Sequence, residues 1–111
     1  MADYLYTQVK LVRVIDGDTL VVDIDLGMDI WKLDQKVRVY GINCPELNTK
    51  IGKKVKAFVE QSLTDHRIVL LSKEWDKYGR LLGEITAMKN DTSFDLAKIL
   101  LDKKYAKVMT Y

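Results

Sequence analysis

The sequence predicts a mainly β (α+β) fold: a small five-stranded barrel, a helix between its third and fourth strands, and a second, C-terminal helix. Three observations carry that expectation. Segments rich in Val, Ile, Leu and Tyr come as three strands, a helix, two strands and a helix. The stretch TLVVDIDL alternates, with Leu20, Val22, Ile24 and Leu26 on one face and Val21, Asp23 and Asp25 on the other. Val55, Phe58, Val59, Ser62 and Leu63 fall on a single helical face. Strands in a row around one helix favour a closed sheet over a doubly wound one.

Taken in order, residues 4–15 form the first strand and Asp16-Gly17 turns it. The second strand covers 19–26 and the third 36–42, with Val37 and Val39 on one face and Arg38 and Tyr40 on the other. Between them GMDIWKLDQ reads as a connection carrying apolar Met28, Ile30 and Trp31. Pro45 ends the third strand because it cannot extend a hydrogen-bond ladder. A helix over 52–65, strands over 67–72 and 80–88, and a helix over 94–104 follow, the last capped by Thr92 or Ser93. Residues 105–111 are expected as a short last strand. This count matches the oligonucleotide/oligosaccharide-binding (OB) barrel.

The chain has 111 residues, one Pro and no Gly/Ser-rich linker, so residues 1–111 read as one domain. Hydrophobic residues make up 48% and charged residues 31%, ordinary values for a folded soluble protein, and no segment suits a membrane span. The N-terminus lacks a basic-then-apolar leader pattern, so a cytoplasmic location is expected. A lone Cys44 excludes an internal disulfide, and with a lone His66 it excludes a Cys/His zinc site. A net charge of +2 does not by itself announce nucleic acid. The lysines are clustered, however, four of them in KIGKKVK. They serve either as a solvated helix face or as a basic rim for phosphates.

Three pieces stand apart: VIDGDT at 14–19, RVYGINCPE at 38–46 and DKYGR at 76–80. In type, order and spacing they resemble the staphylococcal nuclease-like family, and YAKV at 105–108 resembles that family's ending. The resemblance covers nearly the whole chain. It implies a five-stranded barrel and a calcium-dependent phosphodiesterase acting on DNA and RNA, single-stranded or flexible, with little sequence preference. By the same resemblance Asp18 and Asn43 are metal ligands, with the backbone carbonyl of Cys44. Glu46 is the general base, Arg38 and Arg80 bind the reacting phosphate, and Lys77 and Tyr78 touch a second one. The resemblance further implies cleavage on the 5′-oxygen side, leaving 3′-phosphates.

The chemistry suits these residue types. A phosphodiester repels nucleophiles and gathers charge as it is displaced, which a hard cation and two guanidinium forks offset. A carboxylate free of the metal can take the proton of the attacking water. Asp, Asn and a backbone carbonyl all offer oxygen, the donor calcium prefers. Taken one at a time, each residue has a plainer use: Asp18 closing a hairpin, Arg38 and Arg80 pairing with acids, Glu46 entering a helix.

Asn43 departs from the family, which usually has an aspartate there, so calcium binding is expected to weaken about tenfold or more. Asp16 is expected to help through bound water, and Cys44→Thr to retain activity, because only the backbone of Cys44 is used. Lys53→Glu with Lys54→Glu is expected to weaken DNA binding and its salt dependence. The apolar segment 28–31 has three available uses: covering the barrel, lining a groove, or joining a second copy as a homodimer. The alternative function is a catalytically weak or inactive OB-type module binding nucleic acid or protein, which Asn43 favours.

Overall fold

Alternation in TLVVDID seats Leu20, Val22 and Ile24 in the interior, and this strand is the centre from which the sheet grows. The structure, a computed structural model, describes residues 3–110. The long β1 (Tyr4–Asp16) is shared: its second half pairs antiparallel with β2 (Thr19–Asp25) and its first half with β5 (Arg67–Trp75). Register shifts along β1 let it bend between the two partners, with Val9 opposite both Ile24 and Ile68. β3 (Trp31–Val39) lies on the other side of β2, and β6 (Leu81–Lys89) on the other side of β5. A short parallel ladder, Val37 to Leu81, Arg38 to Leu82 and Val39 to Gly83, joins β3 to β6 and closes the five-stranded barrel.

The remaining elements cap this barrel. β4 (Ile42–Asn43) pairs with β8 (Lys107–Val108). Helix α1 (Lys50–Leu63) buries Val55, Val59 and Leu63, and Thr49 caps it by accepting the Gly52 N–H at 3.0 Å. Strand β7 (Thr92–Asp95) extends the sheet beside β6, and α2 (Leu96–Asp102) buries Leu96 and Leu100. Among the described residues no helix is long and apolar enough to cross a membrane.

Several expectations need correction. The connection over 27–35 is mostly strand: β3 begins at Trp31, which pairs with Asp25, so only a tight hairpin turn is left. Gly27, Met28 and Asp29 all take positive φ in that turn, and Met28 is 93% exposed at its tip. The third strand stops at Val39, where Gly41 at φ 86° turns the chain before β4. Leu26 is exposed because β2 has left the core by then. Thr92 and Ser93 do not cap the second helix; they pair with Lys89 and Met88, and Asp95 stands at the N-cap. Cross-strand pairing overrode the capping signal there. Of the expected final strand only Lys107–Val108 pairs, and Tyr111 lies outside the described residues.

Candidate active site

The barrel brings Asp18 and Arg38 together through register alone. Thr19 is opposite Arg38 in the β2–β3 ladder, and the Val39 N–H donates to the Asp18 carbonyl at 2.8 Å. The carboxylate of Asp18 is held on three sides. Its Oδ2 accepts the Cys44 backbone N–H at 2.9 Å and lies 3.5 Å from Arg38 Nη2, while Oδ1 accepts the Thr19 hydroxyl at 3.2 Å. Both partners of the ion pair are buried, with side chains 10% and 9% exposed for Arg38 and Asp18. Sequence parity put Arg38 away from the core. It does leave the Val37–Val39 face, yet it is buried, because β4 and the Met109 segment fold over it.

Arg38 reaches across that cover. Its Nη1 donates to the Ile42 carbonyl at 3.0 Å, and its Nη2 donates to Asn43 Oδ1 at 3.1 Å and lies 3.5 Å from Met109 Sδ. The Met109 segment is itself fixed by a bond from its N–H to the Gly41 carbonyl at 2.9 Å. Nothing in the sequence pattern marked Met109 as part of this site.

Gly17 has a different task from the one its turn motif suggests. Its φ is not among the positive ones; instead a Cβ there would meet Val55 Cγ1 at 2.6 Å and Cys44 Sγ at 2.9 Å. The turn is glycine so that α1 and Cys44 can press against it, which sets where Asp18 points. Asp16 folds back, its Oδ1 accepting the Asp18 N–H at 3.1 Å. Burial, and then the neighbouring Asp18 carboxylate, push the Asp16 carboxyl up to about 6. Burial, followed by the charges of Asp18 and Asp16, pushes the Cys44 thiol up to about 12, so it stays protonated at neutral pH.

Arg80 is organised by a separate hairpin, DKYGR, with Gly79 at φ 80°. Asp76 Oδ1 accepts the backbone N–H groups of Tyr78 and Arg80, each at 2.9 Å, and Oδ2 accepts Arg80 Nε at 2.7 Å. Asp76 therefore shapes the loop and aims the guanidinium at once. Arg80, Lys77 and Tyr78 line one cavity of about 340 Å³, and Arg38 lines it too. Asn43 and Cys44 line a neighbouring cavity of about 290 Å³ with Lys104, Tyr105 and Lys107.

Glu46 is exposed and lines neither cavity. Its backbone is nonetheless fixed: its carbonyl accepts the Thr49 N–H at 3.1 Å and the Thr49 hydroxyl at 2.7 Å. A Cβ at Gly52 would collide with that same carbonyl, so the first turn of α1 clamps the Glu46 loop. The helix starts at Lys50, two residues before the expected Gly52, because Thr49 caps it.

Asp18 and Asn43 offer oxygen donors, the kind a hard cation takes, and in this structure both face Arg38. Asp18 Oδ2 and Asn43 Oδ1 lie 3.5 Å and 3.1 Å from the same Arg38 nitrogen, so two oxygens converge on one positive point. Among the described residues no three His, Cys, Asp or Glu side chains gather as a metal cluster. Any cation site here would therefore need the Asn43 amide, backbone and water oxygens beside Asp18.

Comparison with known proteins shows the family. The family model described as staphylococcal nuclease homologue matches residues 36–111. A thermonuclease of Staphylococcus hyicus is 35% identical over 97 residues, covering 80% of this chain and 54% of that protein. A thermonuclease of Staphylococcus intermedius is 38% identical over 81 residues, 66% of this chain and 45% of that protein. An uncharacterized protein of Methanocaldococcus jannaschii is 27% identical over 125 residues, 89% of this chain and 58% of that protein. The chain spans about half the length of these curated relatives. With its closed barrel and this match across more than half its length, the chain belongs to the staphylococcal nuclease homologue family.

Proposed function

We propose that the chain is a calcium-dependent nuclease that hydrolyses phosphodiester bonds of DNA and RNA with little sequence preference. One observation carries this reading: Arg38 and Arg80, held by different elements, line one cavity beside the oxygens of Asp18 and Asn43. Family membership and the thermonuclease relatives support it.

In this reading the two guanidiniums take the scissile phosphate and offset the charge that grows on its oxygens. Asp76 keeps Arg80 aimed, so little reorganisation is needed on binding. Glu46, exposed at a clamped position, accepts a proton from water as that water's oxygen bonds to phosphorus. The bond from phosphorus to the 5′-oxygen then breaks, leaving a 3′-phosphate and a 5′-oxygen that takes up a proton from water to become a hydroxyl. Lys77 and Tyr78 hold the next phosphate along the strand. Asp18, Asn43 and the Cys44 carbonyl would hold calcium, which when bound supplies positive charge to the same phosphate oxygens. Of the KIGKKVK lysines expected as a basic rim, Lys54 has its Nζ 5.9 Å from the Tyr105 ring centroid, and Tyr105 lines the Asn43 cavity with Lys104 and Lys107.

The test is cleavage of single-stranded DNA across a calcium titration, with EDTA and Glu46→Gln as controls. Cleavage that needs calcium and is lost in both controls is the expected result. Intact DNA at high calcium with a folded protein would favour a non-catalytic binding module, the reading that Asn43 supports.

A further inference from the structure

Trp75 is the last residue of β5 and 51% exposed. It forms a shared wall between two cavities. One is the cavity of about 340 Å³ that holds Arg38, Lys77 and Arg80. The other, of about 140 Å³, is lined by Tyr6, Leu26 and Lys32 as well. An indole beside three cations is the arrangement that serves single-stranded nucleic acid, in which phosphates take the charges and bases take the rings.

The aromatic neighbour, Tyr78, is already engaged. Lys77 Nζ lies 5.3 Å from its ring centroid and Arg80 Cζ 5.5 Å. Trp75 has no ring or cation partner among the described residues. Its backbone is nevertheless fixed. Trp75 pairs with Leu81 in the ladder, and the next residue, Asp76, donates its N–H to the Arg80 carbonyl at 2.8 Å. A bulge between Ser72 and Glu74 breaks the alternation of β5 and turns both Glu74 and Trp75 outward. Exposed and unpartnered on a fixed backbone, the indole offers a base a free face, and its two χ angles are all that binding must order.

We propose that Trp75 is a stacking platform for an unpaired nucleobase next to the phosphate held between Arg38 and Arg80. The platform makes the preferred substrate a single strand, because a paired base keeps its faces inside the duplex stack. Glu74, exposed next to Trp75, lines the same cavity as the three cations. The identity of the phosphate site rests on the nuclease reading above; the stacking itself does not require cleavage.

Two tryptophans make the test direct. Trp31→Phe leaves Trp75 as the sole indole. With EDTA present, its fluorescence is expected to fall on adding a short oligothymidylate and to hold steady with an abasic oligomer of the same length. In competition binding, Trp75→Ala is expected to weaken the oligothymidylate about tenfold or more, with Trp75→Phe recovering most of the loss and the abasic strand unchanged throughout. If Trp75→Ala fails to fold, the fluorescence of the native indole decides. Equal binding of base-bearing and abasic strands, or bound oligothymidylate without quenching, overturns the platform. Quenching by a protein that never cuts DNA at any calcium level upholds the platform while removing the nuclease reading. Normal cutting with an unquenched Trp75 does the reverse.

Discussion

The Arg38 guanidinium, on β3, lies 3.5 Å from the carboxylate of Asp18, in the turn between β1 and β2, and both side chains are buried. Removing one partner of such a pair leaves the other charge without compensation. Arg38→Met is expected to cost about 3 kcal/mol of stability in urea unfolding. The more conservative Arg38→Lys is expected to fold, yet to lose about a hundredfold or more in kcat, because an ammonium lacks the planar fork.

Gly17→Ala tests the close packing behind Asp18. The added methyl would meet Val55 and Cys44, neither of which is a free-swinging chain end. A loss of about 1–3 kcal/mol in thermal or urea unfolding is expected. Nuclease activity is expected to fall more than the remaining folded fraction explains, since the same shift moves Asp18. A variant as stable as the parent would sink this account of the turn.

Asp76 gives a pH signature. Burial alone would raise its carboxyl, but the N–H of Arg80, the Arg80 guanidinium and the N–H of Tyr78 outweigh it and hold the group below its ordinary 3.8. A carboxyl lowered by folding stabilises the fold above its unfolded value. That contribution disappears as pH falls through the lower folded value. Asp76→Asn is therefore expected to be less stable than the parent at neutral pH, with the gap closing as pH falls below the ordinary 3.8 and through the lowered folded value. Unfolding curves measured at several pH values check this.

Asn43→Asp restores a carboxylate where the amide oxygen now accepts from Arg38 at 3.1 Å. Added ligand charge raises calcium affinity. The calcium concentration for half-maximal cleavage is expected to drop about tenfold. If half-maximal calcium stays the same, Asn43 is not a ligand.

Cys44→Thr is expected to keep activity and to lose about 1 kcal/mol in urea unfolding, because a hydroxyl replaces a buried thiol. In the parent, the thiol is buried and its pKa is pushed up to about 12, so iodoacetamide should leave it unmodified at neutral pH.

By itself the sequence determined the class of fold and the three motifs from which the candidate site is drawn. The alternation of 19–25, the helical face from Val55 to Leu63 and the order of VIDGDT, RVYGINCPE and DKYGR are local patterns, and local chemistry writes them. Only the tertiary structure decided what depends on a partner. β3 starts as early as Trp31 because β2 offers it a ladder, and Thr92 and Ser93 became strand because β6 did the same. The parallel ladder from Val37 to Val39 closes the barrel and brings Arg38 toward Arg80, a non-local pairing that leaves no periodic trace. The burial of Arg38 under Met109, the crowding at Gly17 and the outward turn of Trp75 belong to the same class. Each is fixed by which surfaces meet in space, and one-dimensional spacing carries that information only where neighbours in sequence are also neighbours in the fold.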